Sequence, residues 1–206
     1  TDLKIHPREH DLIIGTFGRA AWIFDDIRPF RTMAQTNGEV LAEEFSVFPA
    51  PIAYQAAQRS YQGIRFVAQG EYAGSNRYTG ALLSYWMKPP ADYEEGDSPD
   101  GEIKYQIVDT ANDTIRTFTR SARYGLNRAY WNMRSDGIST FNRRERAEDA
   151  DAPSGSRVLP GTYTVVMTYG DHSGKTEVVV SADPRRENPD NRYAQRDRLN
   201  AELEQI

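Results

Sequence analysis

The sequence predicts an all-β protein: a two-sheet sandwich, preceded by a short three-stranded meander and followed by a helix. Three observations carry this reading. From about residue 63 to 184, short stretches of alternating apolar and polar residues recur with turn residues between them. Three further strand-like stretches crowd into the first 30 residues. After Asp183-Pro184 the pattern changes, and residues 191–206 contain neither proline nor glycine and are rich in Arg, Glu, Gln, Leu and Ala.

At the N-terminus, residues 3–7 alternate apolar and polar and break at Pro7. Residues 12–16 read as a buried-type strand, Gly18 as a turn, and Ala20 to Asp25 as a third strand. So small a meander buries too little apolar surface to stand alone. It needs neighbours, and its spacing is that of a propeller blade. Residues 28–40 read as a connector with some helical turn. Residues 45–54 are strand-like but interrupted by Pro49 and Pro51, which cannot donate to a ladder, so an edge strand or an extended linker is expected.

The sandwich strands follow in order. Ile64–Ala68 is the first, and Ala81–Met87, closed by Pro89-Pro90, the second. An acidic Gly/Pro-rich loop fills 91–101. Glu102–Asp109 places Ile103, Tyr105 and Ile107 on one face, Asn112-Asp113 turns, and Ile115–Thr119 returns, which makes the best hairpin of the chain. Arg128–Met133 is the next strand, with Trp131 and Met133 facing the core. Residues 135–156 are polar and charged and read as an excursion. Gly161–Tyr169 and Lys175–Val180 close the sheet. About seven short strands in about 120 residues is the immunoglobulin-like or fibronectin-III-like signature. The absence of cysteine excludes the antibody type, a disulfide framework and a thiol nucleophile. The expected organisation is therefore 1–30 blade-like strands, 31–62 connector with an edge strand, 63–184 sandwich, and 185–206 a helix that the chain's end truncates. Asn188 or Asp190 is placed to cap that helix.

Charge and composition exclude some functions. A net charge of −5 offers no basic footprint for nucleic acid. No apolar run approaches the roughly 18 residues of a membrane span, and no signal peptide is visible. The chain starts with Thr1 and not Met, so an upstream part is expected to have been removed or to be missing.

Two stretches resemble a known family. His10 to Ile27 reads His-Asp-Leu-Ile-Ile-Gly-Thr-Phe-Gly-Arg-Ala-Ala-Trp-Ile-Phe-Asp-Asp-Ile. It resembles the final blade of bacterial BNR-repeat, sortilin-like β-propeller proteins, with Phe17 where histidine is usual. Gly125-Leu126-Asn127, Tyr130 to Arg134 and Val158 to Val165 resemble the sandwich that follows that propeller. They are also similar to the immunoglobulin-like module of flagellar hook-capping proteins. The resemblance implies that most of the propeller lies upstream. It also implies a periplasmic, cell-surface or secreted protein, with any active site on the propeller and not on this module.

Residue by residue, catalysis finds little footing, so no catalytic residue, metal or cofactor is expected. Asp25-Asp26 are neighbours on a strand and point to opposite faces, which suits a strand-end turn better than a joint acid–base pair. His6, His10 and His172 lack a metal-ligand spacing. No Gly-x-Ser-x-Gly elbow occurs. The acidic segments 92–100 and 148–151 lack the calcium-loop arrangement. Trp22 reads as blade core and Trp131 as sandwich core, since a buried ring removes about 150–250 Å² from water. Tyr72, Asn76 and Tyr78 cluster in the loop before Ala81, and Trp86 stands beside Tyr85 with one of that pair facing outward. Aromatic and amide groups of this kind stack on sugars and bond their hydroxyls. Tyr72, Asn76, Tyr78 and Trp86 are therefore the candidate binding residues, for a glycan or a protein ligand.

The expected role is a non-catalytic module that caps the upstream propeller of the same protein. A carbohydrate-binding accessory domain of a glycoside hydrolase is the alternative.

Overall fold

The computed structural model describes residues 2–18, 20–56, 78–138 and 150–185, together with 195, 196, 198, 199 and 202. The strand expected at Ile64–Ala68 lies outside these residues, as do Tyr72, Asn76 and the middle of the excursion, 139–149.

The chain opens with β1 (Asp2–Ile5), β2 (Leu12–Gly15) and β3 (Ala21–Phe24), an antiparallel sheet in that order. Helix α1 (Arg28–Gln35) follows. Pro29 sits in its first turn, where no amide is needed. Asp26 adopts φ of 47° and turns its Oδ1 back to accept the Arg28 N–H at 3.2 Å. A 3-10 turn (Glu39–Leu41) leads into the sandwich.

The first sandwich sheet has the order β4 (Phe45–Val47), β6 (Ala81–Met87), β9 (Gly125–Trp131). The second has the order β5 (Ala53–Tyr54), β13 (His172–Ser181), β12 (Gly161–Tyr169), β7 (Glu102–Val108), β8 (Thr114–Ser121). The proline-interrupted stretch 45–54 is thus two edge strands, one in each sheet. Pro49 and Pro51 fall where the chain crosses from one sheet to the other, because neither owes a ladder bond there. β13 lies against β4 on that side. A Cβ on Gly174 would come within 2.6 Å of Val47 Cγ2, so only glycine permits the approach.

The expected hairpin is β7 with β8, in register from Glu102↔Ser121 and bulged near Val108. Ile103, Tyr105 and Ile107 all face inward and are fully buried. They join Val165, Met167, Val178 and Val180 of the same sheet, and Leu83, Tyr85, Met87 and Trp131 of the other, in one core. Tyr105 stacks on Phe118 with ring centroids 4.8 Å apart. Trp131 meets Tyr163 edge-on at 5.4 Å, and its Nε1–H donates to the Arg134 carbonyl at 2.9 Å. Trp131 and Met133 are buried as the alternation predicts.

Two expectations need correction. Trp22 is 65% exposed, not core: on its face of the small sheet, Phe30 and Arg128 pack on Phe24 at one end, and Trp22 stays open. The excursion 135–156 is not structureless at its ends. β10 (Arg134–Asp136) pairs with β11 (Ser154–Arg157) in a two-stranded ribbon. That ribbon guards the open edge of β8. The Thr117 and Thr119 amides, on the unpaired side of β8, donate to Asp136 Oδ2 at 3.2 Å and Asp151 Oδ1 at 2.9 Å. Arg116, nearly buried, ties the ribbon down through Asp136 Oδ1 and the Ala152 and Pro153 carbonyls, all within 2.9 Å. Carboxylates on these two strand amides occupy donors that another chain could otherwise pair with. Residues 195, 196, 198, 199 and 202 are helical, where the C-terminal helix was expected.

Candidate functional site

The small sheet carries the most exposed apolar surface of the described residues. Its register sets Leu3 beside Ile14 beside Trp22, and Ile5 beside Leu12 beside Phe24. Side chains directly opposite share a face, so these six form two apolar rows on one side of the sheet. Leu3 is 61%, Ile5 47%, Trp22 65% and Phe24 40% exposed. The other side shows Lys4, Ile13 and Ile23 in a row, with Ile23 also exposed. Phe17, in the β2–β3 turn, is almost entirely in solvent. Monomeric proteins seldom leave so apolar a patch bare unless it meets a partner.

The inner end of this sheet is fixed to the sandwich through one corner. Asp26 is fully buried, its Oδ1 held by the Arg28 guanidinium at 2.7 Å. Arg28 also reaches the Glu9 carbonyl at 3.2 Å and the Arg8 carbonyl at 3.3 Å, which pins the β1–β2 turn. His10 in that turn lies 2.7 Å from Arg31 of α1. Partial desolvation, with the positive charges of Arg28 and Arg31, holds its pKa below the ordinary histidine value, so the neutral ring accepts that bond.

Opposite this corner stands the outer face of the three-stranded sheet. On β6, Leu83, Tyr85 and Met87 face the core, so Leu82, Ser84 and Trp86 face outward. Leu82 and Ser84 are nevertheless buried. Directly across from Ser84 on β9 is Arg128. Its Nη2 donates to the Asp25 carbonyl and to the Asp26 carbonyl at 3.0 Å, and its guanidinium lies 4.8 Å from the centre of the Phe24 ring.

Among the candidate binding residues, Tyr72 and Asn76 lie outside the described part. Tyr78 is 72% exposed and packs on Tyr130, ring centroids 5.2 Å apart. Trp86 is half-buried, and its buried Nε1–H has no acceptor among the described residues. Tyr130 stands opposite Leu82 and Trp86 opposite Leu126, so Tyr78 and Trp86 sit at opposite ends of β6, roughly 13 Å apart at about 3.3 Å per residue. Tyr78 instead borders a groove that also involves Arg120, Arg123 and Asn127.

Among the described residues no group of three histidine, cysteine, aspartate or glutamate side chains is arranged to hold a metal ion. No described helix is long and apolar enough to cross a membrane. Arg128 escaped the sequence reading, whereas Asp26 is the strand-end turn expected there, its Oδ1 accepting the Arg28 N–H. The one available signal was an arginine in the middle of a strand with no carboxylate near it in sequence.

The fold and the exposed sheet together define an all-β, sandwich-like protein with an apolar appendage. No family model matches the chain, and neither a curated protein nor a solved structure is significantly similar to it.

Proposed function

We propose that the chain is a non-catalytic structural and interaction module that packs on and caps a β-propeller of the same protein. The apolar face of β1–β3 is the observation that carries this reading. A four-residue, three-stranded sheet with Leu3, Ile5, Trp22 and Phe24 exposed, and only Phe24 met by Phe30 and Arg128, lacks the complete second layer that a sheet needs to bury its apolar side. Each such side chain gains about 1.5–3 kcal/mol when fully buried. Completing their burial would therefore contribute on the order of 5 kcal/mol before association costs. The sheet is the last blade-like element of the propeller in this reading, and the sandwich covers its inner end. An immunoglobulin-like or fibronectin-III-like sandwich and a periplasmic, cell-surface or secreted setting belong to the same proposal and rest on the resemblance described above.

The test is the parent protein carrying Trp22→Asp or Ile14→Lys. Both place a charge in the apolar rows and leave the sandwich core alone. The expected result is a propeller that melts at lower temperature and is cut by protease near the junction. Unchanged melting and unchanged cleavage would sink the proposal.

A second reading, a carbohydrate-binding accessory role, is favoured by one observation: the exposed Tyr78 ring beside Tyr130, at a groove with Arg123 and Asn127. A flat aromatic face beside a guanidinium donor and an amide oxygen suits a sugar ring, the Asn127 amide nitrogen being engaged by the Arg123, Tyr124 and Gly125 carbonyls. Screening soluble glycans by affinity electrophoresis tests it. Retardation that Tyr78→Ala abolishes would favour this role, and retardation by none would end it.

A further inference from the structure

We propose that Arg128 is a clamp that fixes the orientation of the β1–β3 sheet on the sandwich. Three contacts from one side chain span the junction. Its Nη2 donates to the carbonyls of Asp25 and Asp26, and its plane lies near the Phe24 ring. The base of the arginine is rigid, because it sits in the centre of β9, paired with Ser84 of β6. The far side is rigid as well. Asp26 is fully buried, its N–H donates to Asp11 Oδ1 at 2.9 Å, and its carboxylate is tied to Arg28, which holds the carbonyls of Arg8 and Glu9. Arg128 therefore grips the corner that gathers the turn between β1 and β2 and the exit from β3.

The geometry asks for arginine in particular. A planar guanidinium lies over an aromatic ring while its edge N–H groups reach two acceptors. Lysine places a single compact charge and cannot do both. The carbonyls it holds leave the β3 end of the sheet, where a backbone acceptor buried without a donor is costly. Arg128 sets the angle between two parts of one chain, whatever docks on the apolar face.

The chain has no cysteine of its own, so spin labels can be placed at will. Lys4→Cys on the exposed side of β1 and Glu177→Cys on the exposed side of β13 report the distance between sheet and sandwich. The full chain is measured by electron–electron double resonance, with amide hydrogen exchange alongside. With Arg128 present, one narrow distance distribution is expected. Arg128→Met should broaden it and speed exchange of the β2 and β3 amides by roughly tenfold or more, while Val165 and Met167 in the core exchange as before. Arg128→Lys should behave like Arg128→Met. Arg123→Met, an exposed arginine near the same groove, should change neither readout.

Four results would each overturn the proposal. These are a broad distribution with Arg128 intact, a narrow one in Arg128→Met, wild-type behaviour of Arg128→Lys, or an equal effect of Arg123→Met. Faster exchange at Val165 and Met167 in Arg128→Met would do so too, since Arg128 would then be supporting the sandwich and not clamping the sheet. Phe24→Leu, which removes the ring but no core atom, should broaden the distribution part-way, and a narrow distribution there would discard the role of the ring stacking.

Discussion

Trp22 and Trp131 offer a direct comparison, because the same side chain meets two opposite environments. Trp131 is 1% exposed, against Tyr163 and bonded through its indole N–H. Trp22 is 65% exposed. A tryptophan side chain presents about 200 Å². At about 25 cal/mol per Å², removing all of it from water is worth about 5 kcal/mol for Trp131. For Trp22 about a third of the area is buried, which gives about 1.7 kcal/mol. Both are upper values, since the unfolded chain is itself partly collapsed. Trp131→Ala is therefore expected to cost about 3–5 kcal/mol, and Trp22→Ala about 1–1.5 kcal/mol. Urea unfolding followed by far-UV circular dichroism reads the difference as a midpoint shift. At a slope of about 2 kcal/mol per M, Trp131→Ala moves the midpoint by roughly 2 M and Trp22→Ala by well under 1 M. A dye that binds exposed apolar surface should bind less to Trp22→Ala than to the unaltered chain. Equal costs for the two substitutions, or dye binding indifferent to Trp22, would refute the description of the small sheet as an uncovered apolar face.

Three further outcomes are expected. Gly80 has φ of 145° and a Cβ there would lie 2.5 Å from the Trp131 carbonyl oxygen, so Gly80→Ala should cost about 2 kcal/mol or more by thermal or urea denaturation. Burial pushes the Tyr105 and Tyr85 phenols above their ordinary pKa, so the folded state keeps their protons after the unfolded state has lost them. Their contribution to stability is then flat below about pH 10 and falls above it by about 1.4 kcal/mol per pH unit for each such tyrosine, and Tyr105→Phe should flatten the slope in a series of alkaline urea titrations. Asp136→Ala removes the Arg116 partner and the cap on the Thr117 amide, which should cost about 1–2 kcal/mol and raise the tendency of the chain to aggregate, measured by light scattering on a concentration series.

Much of the sandwich was legible because its signals are local. The alternation of Ile103, Tyr105 and Ile107 and the Asn112-Asp113 turn name a hairpin without knowledge of anything distant. Where tertiary context decides, the sequence was silent or misleading. Trp22 lies in an apolar strand, and nothing in the strand says whether a second layer lies opposite. Ala81–Met87 reads as a run of apolar and small residues, and only the structure shows that residues on both of its faces are buried. The ribbon of Arg134–Asp136 and Ser154–Arg157 has no apolar alternation to announce it. It is held by Arg116 and by its own pairing, with partners about 20 and 40 residues further along the chain. Of the candidate binding residues, the loop cluster was legible as a composition, whereas the pairing of Tyr78 with Tyr130 comes from the sheet register, which residue spacing alone does not fix.

The parallel pairing of β5 with β13 has a mechanical consequence. Within the second sheet the chain enters through β5 and leaves through β13, and the two run side by side in the same direction. Tension on the polypeptide pulls the start of β5 one way and the finish of β13 the other, so the Ala53–Val180 and Tyr54–Ser181 pairs and the Gln55–Ser181 bond slide against each other instead of opening one at a time. Gln55 Nε2 on the Val158 carbonyl adds a further anchor beside them. Such a seam yields all at once, so stretching single molecules should give one sharp rupture, and Gln55→Ala should lower its force. A gradual extension without a peak would show that the seam bears no load.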